Sequence, residues 1–377
     1  MYKKLIVLFL VLGAIFIFVF VSIQERVKLY KLAVEKPKIN PSKVPKLVMA
    51  FYHGWYGSPY GPSKQWIHWN HWIMNTSTGK IISYHDPEKF ISKDRRDIGA
   101  ADYPILGPYD VRAEEVLQKH FSWAKQSGID VFVFDWFGPP NDYIDENFKL
   151  MLNFSESHNG ILLSVLYDGY EYRNAPKDEV VKELKYIITS YGKSEKFLKF
   201  EGYPVIFIYA CEHFSSEEWM EIIGKLREEG LKFIFLGDFS PNHYEYSKVF
   251  DGIYIYSPDG ILNFGGENSL ENYYSSMKNI ASQESLILCT TTSPGYDDTK
   301  VRVPGFKVSR QDGLTYNITW NLALKYNPNW VLICSWNEWH EGSEIEPSVE
   351  YDYKYTNLTL FWSSNFKSSS ALKSIRS

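Results

Sequence analysis

The sequence predicts an α/β protein folded as a (β/α)8 barrel, also called a TIM barrel, and three observations lead to this prediction. Eight short apolar segments, rich in β-branched and aromatic residues, recur from residue 47 onward. Stretches with the apolar spacing of amphipathic helices lie between most of them. Polar residues follow the end of each segment, where a barrel of this kind carries its catalytic groups. Strand–helix alternation repeated eight times is typical of a closed parallel barrel.

The predicted elements can be taken in chain order. The strands cover residues 47–52, 131–136, 162–167, 205–210, 233–236, 252–256, 286–290 and 331–335. The helix that starts near Val116 repeats its apolar residues with helical period and ends at Gly128. Further helices are predicted at residues 143–157, 177–191, 215–229, 269–283 and 312–326. The connection at residues 240–250 holds no more than a turn or two.

The segment before the barrel is strongly apolar. Residues 5–23 are interrupted mildly, by Gly13 and Ser22, and would reach about 28 Å as a helix, close to the thickness of a bilayer core. A signal-peptide core is shorter, and no small-residue cleavage site follows. We therefore expect an N-terminal membrane anchor at residues 1–24, a lysine- and proline-rich linker at 25–45, and the catalytic domain at 46–377.

The first connection, from about residue 53 to 113, is too long for a simple loop. Residues 65–72, QWIHWNHW, place three tryptophans and two histidines together. Long connections are usually functional, so we expect a wall or lid at the mouth of the barrel, with Trp66, His68 and His71 as candidate substrate contacts. The alternative is a hydrophobic plug with hydrogen-bonded histidines. Metal binding by these two histidines is not expected, since no third ligand is identifiable.

Composition narrows the function classes. Aromatic residues make up 17% of the 377 residues, which suits a carbohydrate cleft, although a large barrel core also uses many aromatics. The net charge of −5 gives no reason to expect nucleic acid as a partner. The cysteines Cys211, Cys289 and Cys334 fall in or after predicted strands without metal-ligand spacing, so free buried thiols are expected, with no metal or other cofactor.

Two carboxylates follow the eighth predicted strand. Residues 335–342, SWNEWHEG, carry Glu338 and Glu341 three positions apart between tryptophans. Apolar surroundings raise the pKa of a carboxyl group and let it donate a proton near neutral pH, while an ionised partner acts as base or nucleophile. Such pairs cleave glycosidic bonds, and a coiled backbone here would give the short separation of retaining enzymes. The alternative is the acidic first turn of a helix.

Several segments match a known family in the same order along residues 46–350. They are residues 51–57 (FYHGWYG), 66–71 (WIHWNH), 103–109 (YPILGPY), 128–138 (GIDVFVFDWFG), 250–256 (FDGIYIY), 294–298 (PGYDD) and 335–346 (SWNEWHEGSEIE). With these segments the chain resembles glycoside hydrolase family 99, the endo-α-1,2-mannosidase and endomannanase family. Where Thr-Gln is common in that family, this sequence has Ser343 and Glu344, which adds a negative charge near the site or in solvent.

The resemblance implies an activity and a mechanism. The enzyme would cleave internal α-1,2-linked mannosides, Man–Man or Glc–Man, with retention of configuration. Glu341 would act as general acid and then as base. Glu338 would deprotonate the mannose 2-OH, which then attacks the anomeric carbon to form a 1,2-anhydro sugar. The expected substrate would be an oligosaccharide or polysaccharide that contains α-mannose.

The resemblance also suggests which side chains hold the sugar. Trp136, Tyr256 and Tyr296 are expected to contact it, and Asn337 and His340 to support Glu338 within the binding site. Two alternatives stay open: a glycosidase of another linkage specificity, and a non-catalytic glycan-binding or polysaccharide-assembly module on the same barrel. Retention of both carboxylates favours an enzyme.

The expected location is a membrane, with a single-pass anchor. The implied function places the catalytic domain on the non-cytoplasmic side. The positive-inside rule argues the opposite, because more basic residues follow the apolar segment than precede it. Those that follow are Arg26, Lys28, Lys31, Lys36 and Lys38.

Overall fold

Eight parallel strands close into a barrel in the computed structural model, which describes residues 2–169 and 174–374. The strands are β1 (Leu47–Tyr52), β2 (Val131–Trp136), β3 (Leu162–Tyr167), β4 (Tyr203–Ile208), β5 (Ile234–Asp238), β6 (Gly252–Tyr254), β7 (Ile287–Thr292) and β8 (Trp330–Ile333). Each pairs with the next in the chain, and β8 pairs with β1 to complete the ring. The predicted fold is confirmed, and all eight predicted strands exist with shifts of a few residues at their ends.

Helices surround the barrel. They are α1 (Tyr2–Val34), α2 (Glu114–Gln126), α3 (Tyr143–Ser157), α4 (Lys177–Tyr186), α5 (Ser216–Glu228), α6 (Asp259–Glu284), α7 (Leu314–Lys325) and α8 (Lys354–Ser374). The prediction for α3 matches its bounds. Helix α6 begins well before the expected residue 269, because Gly266 (φ +70°) joins two helical segments across a kink that apolar periodicity does not reveal. Helix α8 was not predicted.

The strands bury both of their faces, and their side chains alternate between two parts of the core. In β1, Met49 and Phe51 point into the barrel, whereas Val48 and Ala50 pack toward the surrounding helices. Both sets are fully buried. This alternation decides which side chain at a strand end reaches the mouth of the barrel and which packs behind it.

The long first connection contains short strands of its own. Trp72–Asn75 and Lys80–Tyr84 form an antiparallel hairpin, and Trp72–Asn75 also pairs with Arg302–Val303 in the connection after β7. Trp69 is fully buried and stacks on Tyr56, with ring centroids 4.2 Å apart. The connection is therefore a packed layer over the mouth.

Helix α1 is the candidate membrane segment. Among the described residues, Leu10–Val34 is the one stretch of helix long and apolar enough to cross a membrane, and its position near the N-terminus suits a membrane anchor or a signal sequence. The helix continues through Val34, into the segment expected to be a linker. Leu29 and Ala33 are buried there, and the guanidinium of Arg26 pairs with Glu221 of α5 at 3.0 Å. The apolar candidate segment and the segment that packs on the barrel thus belong to one continuous helix.

Candidate active site

A cavity of about 270 Å³ opens at the C-terminal ends of the barrel strands. Its lining is rich in carboxylates, histidines and aromatic rings, as expected for a site that binds sugars and transfers protons. The lining residues are His53, Trp55, His68, His71, Trp72, Asp135, Leu166, Asp168, Tyr209, Tyr256, Val301, Arg302, Glu338, His340 and Glu341. The two glutamates of the SWNEWHEG segment therefore face the same space.

Glu338 lies deep in this cavity, with 3% of its surface exposed. Its Oε2 lies 3.3 Å from Nε2 of His53, and its Oε1 accepts a hydrogen bond from the backbone N–H of His340 at 3.2 Å. The hydroxyl of Ser335 accepts from the backbone N–H of Glu338 at 2.7 Å, which fixes the turn. Burial raises the pKa of Glu338 well above its usual range, and the negative charge of Glu341 raises it further.

Glu341 lies nearer the opening and has a cationic partner. The guanidinium of Arg302 donates to its Oε1 at 3.0 Å. The same guanidinium nitrogen contacts the hydroxyl of Tyr296 at 2.7 Å and Oδ2 of Asp298 at 2.9 Å. Tyr296, which was expected to touch sugar, therefore holds Arg302 in place and is 7% exposed.

Asp135 is a third carboxyl group in the cavity. Its Oδ1 is buried without a hydrogen-bond partner, and burial together with the charge of Glu341 raises its pKa to about 8. Asp135 stands in the matching segment 128–138, at the end of β2, but is not among the site residues predicted from the sequence. An unpaired polar atom directed into a cavity is suited to contact a substrate hydroxyl.

Three histidines form one wall of the cavity. The rings of His71 and His340 stack with centroids 4.0 Å apart, and His68 lies 5.9 Å from each of them. Burial lowers the pKa of His68 to about 4 and that of His71 to about 3, and it lowers the pKa of His340 well below its usual value. These side chains are therefore neutral at pH 7.

The three histidines bring ligand nitrogens within 4.8 Å of one another, as a metal site would. Their ring planes, however, differ by 16° to 21°. Lone pairs lie in the ring plane, so nearly parallel stacked rings do not direct three of them at one point, as tetrahedral zinc requires. The geometry suits a flat aromatic wall rather than a metal centre.

Comparison with known proteins identifies the family. The profile of glycosyl hydrolase family 99 matches residues 43–368. The chain belongs to glycosyl hydrolase family 99. It is a glycoside hydrolase, as the sequence predicted.

Relatives and solved structures agree with this membership. The chain is 28% identical over 351 residues to mouse glycoprotein endo-alpha-1,2-mannosidase-like protein, covering 84% of this chain and 76% of that protein. It is 26% identical over 365 residues to rat glycoprotein endo-alpha-1,2-mannosidase, covering 87% and 77%. The family 99 endo-alpha-mannosidase structure from Bacteroides thetaiotaomicron superposes with a TM-score of 0.73 at 24% identity, covering 86% and 98%, and shares the fold.

Trp136 and Trp66, like Tyr296, are predicted sugar contacts of this family 99 hydrolase that lie outside the cavity. Trp136 is fully buried, and its indole N–H donates to Oδ1 of Asp145 at 3.1 Å. Asp135 and Trp136 are adjacent in β2, so their side chains point to opposite sides, Asp135 to the mouth and Trp136 to the helices. Trp66 lines a separate surface depression and donates to Glu88 at 2.5 Å. Neither Trp136 nor Trp66 therefore contacts a sugar bound in the cavity.

Asn337 has a structural position within the site. Its side-chain amide accepts from the backbone N–H of His53 at 2.8 Å and donates to the carbonyl oxygen of His53 at 2.9 Å. These two bonds join the turn after β8 to the end of β1. Asn337 is fully buried and does not line the cavity, so it positions His53 rather than touching sugar.

Tyr256, His68, His71 and His340 do line the cavity, and their contact with sugar stays a prediction. Tyr256 places its hydroxyl 3.3 Å from Nε2 of His53. Sequence reasoning missed His53 and Arg302 as members of the site, although both stand within matching segments or beside them. The position of His53 at the end of β1 was the available signal for that residue, whereas Arg302 stands well beyond the end of β7. The contact of both residues with the glutamates depends on the closure of the barrel.

An ion pair stabilises the turn at residues 335–346, which carries Glu338 and Glu341. The buried guanidinium of Arg310 lies 2.5 Å from Oε1 of Glu344 and 3.4 Å from Oδ2 of Asp102. It also donates to the carbonyl oxygens of Gly342 and Glu344, at 3.1 and 2.9 Å. Glu344 is thus buried rather than solvent-facing, and its partner is Arg310. It closes the turn that carries Glu338 and Glu341.

Proposed function

We propose that this glycoside hydrolase cleaves internal α-1,2-mannosidic linkages, Man–Man or Glc–Man, with retention, and that Glu338 and Glu341 carry the reaction. The observation that supports this is the shared cavity of the two carboxyl groups, one deeply buried and one beside Arg302 near the opening. The linkage is taken from relatives that are named endo-alpha-1,2-mannosidases. Their substrate is an α-mannose-containing glycan, and the same class is proposed here.

Glu338 serves as the base. A carboxylate whose pKa is raised is a stronger proton acceptor once ionised, which suits removal of a proton from a weakly acidic sugar hydroxyl. As the proton moves from the 2-OH to Glu338, the 2-oxygen attacks the anomeric carbon. The glycosidic C–O bond breaks, and a 1,2-anhydro sugar forms without a covalent enzyme intermediate.

Glu341 serves first as acid. It gives its proton to the departing glycosidic oxygen, and Arg302, at 3.0 Å, compensates the negative charge that remains. In the second step water attacks the anomeric carbon and gives its proton to Glu341, while Glu338 returns its proton to the 2-oxygen. Two inversions at the same carbon give net retention.

The histidines keep the surroundings of Glu338 uncharged. His53 is 3.3 Å from Oε2 of Glu338, and burial lowers its pKa to about 3. His340 is neutral as well. A protonated histidine here would stabilise the carboxylate and weaken it as a base, so neutral rings preserve the basicity that the step requires.

Aromatic rings supply the sugar-binding faces. Trp55, Trp72 and Tyr256 border the cavity, and their flat apolar surfaces suit the C–H faces of pyranose rings. Asp135 and Asp168 add carboxyl groups at the ends of β2 and β3 for sugar hydroxyls. This combination matches a site for several linked sugars rather than for an apolar ligand.

The location of the enzyme is part of the proposal. α1 anchors the chain in a membrane as a single span, and the catalytic domain, residues 46–377, lies on the non-cytoplasmic side. Arg26 and Lys28, which counted against this orientation, pair with Glu221 and Glu228 of α5. Their positive charges thus have a role in docking the anchor on the barrel.

The direct test is turnover of α-1,2-linked manno-oligosaccharides by the full chain, followed by proton NMR of the freshly released sugar. We expect the α-anomer first, and loss of turnover in Glu338→Gln and Glu341→Gln with unchanged circular dichroism. The α-1,6-linked oligosaccharide of the same length is the matched control and should stay intact. Saturable binding of the α-1,2-linked sugar without turnover would refute the enzyme proposal and indicate a glycan-binding module.

A further inference from the structure

Helix α1 packs along α5 in a fixed register. Arg26 pairs with Glu221, and the carbonyl oxygen of Leu29 lies so close to Gly224 that a Cβ there would approach it to 2.5 Å. A step of three residues along α1, from Arg26 to Leu29, therefore matches a step of three residues along α5, from Glu221 to Gly224. Such correspondence in the same chain direction means that the two helices run parallel.

The contacts continue to the ends of both helices. The guanidinium of Arg227, in the last turn of α5, donates to the carbonyl oxygen of Leu32 at 3.1 Å. The ammonium of Lys36, just beyond α1, donates to the carbonyl oxygens of Ser247 and Phe250, each at 2.6 Å. The end of α1 is thus held by buried backbone acceptors, and its direction is fixed relative to the barrel.

The direction of α5 follows from the fold. α5 begins at Ser216, shortly after the C-terminal end of β4, and returns to the N-terminal end of the barrel. A helix parallel to α5 has its own N-terminal half beyond the catalytic end. The free part, about 20 residues at 1.5 Å each, is long enough to cross the bilayer core. The apolar segment therefore leaves the protein on the side of the active-site mouth.

A second apolar feature stands on that same side. The first connection, which starts at the C-terminal end of β1, exposes large apolar side chains along its two hairpins. They are Ile81 (51% exposed), Ile82 (56%), Tyr84 (63%), Phe90 (59%) and Ile91 (65%). Large apolar residues exposed together on one connection mark a contact surface. We call these five residues the hairpin patch.

The anchor and the hairpin patch flank the mouth on different sides. The hairpin pairs with Arg302–Val303, in the connection after β7, whereas α1 packs on α5, which follows β4. β4 and β7 are three strands apart in a ring of eight. The mouth therefore lies between the place where α1 leaves the barrel and the connection that carries the hairpin patch.

We propose that the catalytic end of the barrel rests on the lipid bilayer, with the hairpin patch inserted at the membrane surface and the active-site mouth facing the lipid headgroups. This rests on the proposed role of α1 as a membrane-spanning anchor. The bilayer is the occupant of the patch because the anchor brings it to this end of the barrel. The enzyme then acts on mannose-containing glycans carried by the same membrane.

Site-directed fluorescence on the full chain in lipid nanodiscs tests the orientation. Ile82→Cys, labelled with an environment-sensitive nitrobenzoxadiazole dye, reports the hairpin patch, and Lys232→Cys reports the opposite end, since Lys232 is exposed just before β5. The three native cysteines are buried, so labelling is selective. We expect lipids spin-labelled in the upper acyl chain to quench the dye at residue 82 severalfold more than at residue 232. Equal quenching, or stronger quenching at residue 232, overturns the proposal.

A second variant tests the coupling to the anchor. Gly224→Leu places a side chain against the backbone of α1 and should free the barrel from its anchor, so that quenching at residue 82 falls. Gly260→Leu is the matched control, because nothing lies within 4 Å of its Cβ position. Quenching at residue 82 that is unchanged by Gly224→Leu overturns the docking that the proposal requires. Turnover of a soluble α-1,2-mannoside is measured separately. It tests the proposed enzymatic function without depending on the orientation of the barrel on the membrane.

Discussion

Arg302 donates a hydrogen bond to Oε1 of Glu341 at 3.0 Å and thereby links the connection after β7 to the turn after β8. The two residues are far apart in sequence, and the pairing of β7 with β8 brings them together. The side chains of Asp298 and Tyr296 contact the same guanidinium nitrogen and help to hold it in place. The orientation of the proposed acid therefore depends on residues outside the segment that contains it.

Arg302→Met should lower kcat/KM by about 10- to 100-fold, because a charge-assisted hydrogen bond contributes about 1.5–3 kcal/mol. Steady-state kinetics on an α-1,2-linked manno-oligosaccharide measures the change. Lys307→Met is the matched control: Lys307 pairs with Asp297 at 2.7 Å on the surface, and its loss should change kcat/KM less than twofold. Equal effects of both substitutions would contradict a specific role for Arg302.

The pH dependence of kcat/KM should report the environment of Glu338. Below the pKa of the base, Glu338 is protonated and cannot accept the 2-OH proton, so activity falls as pH is lowered. Since burial raises this pKa well above its usual range, the acid limb should lie closer to neutral pH than that of an ordinary glutamate.

Asp135→Asn should shift this acid limb to lower pH. With a pKa of about 8, Asp135 is partly ionised in the range near neutral pH where Glu338 titrates, and its negative charge raises the pKa of Glu338; the amide removes that repulsion and lowers this pKa. Asp86→Asn, at an exposed position outside the cavity, serves as control and should leave the profile unchanged. A shift of the limb to higher pH in Asp135→Asn would show that Asp135 acts in another way, for example through the sugar alone.

A substrate without the reacting 2-OH distinguishes the proposed mechanism from a carboxylate nucleophile. The 2-deoxy-2-fluoro analogue should neither turn over nor leave a glycosyl group on the protein, because no 2-oxygen is present to attack. Intact-mass spectrometry after incubation provides the measurement. A mass increase of one fluorosugar would refute the 1,2-anhydro route and identify a covalent intermediate.

Arg310→Met should destabilise the fold by about 3–5 kcal/mol, since it leaves Glu344 buried without its cation. Glu344→Gln should be much milder, because a glutamine oxygen can still accept from Arg310 and no unpaired carboxylate remains. Denaturant unfolding followed by tryptophan fluorescence measures both. If Glu344→Gln were the more harmful change, the negative charge itself would be required at this position.

Local patterns in the sequence predicted most of the fold and the two candidate acids. The eight strands were recognisable because strands buried on both faces form continuous apolar runs, and the amphipathic stripe of α2 is a local feature of a helix. Glu338 and Glu341 were found because they share one short aromatic segment. A kink such as Gly266, by contrast, interrupts periodicity and hides the true start of α6.

Tertiary structure decided which side chains meet in the cavity. Asp135 and Trp136 are neighbours in the sequence. Because successive side chains of β2 point to opposite faces, the carboxyl group of Asp135 lies at the mouth and the indole of Trp136 lies among the helices. Arg302 and His53 reach the glutamates because the ring closes between distant strands. Likewise, the apolar composition of α1 can be read from the sequence, but the direction of this helix relative to the barrel depends on its packing against α5. A sequence records what each residue is; contacts between distant segments arise only when the chain folds.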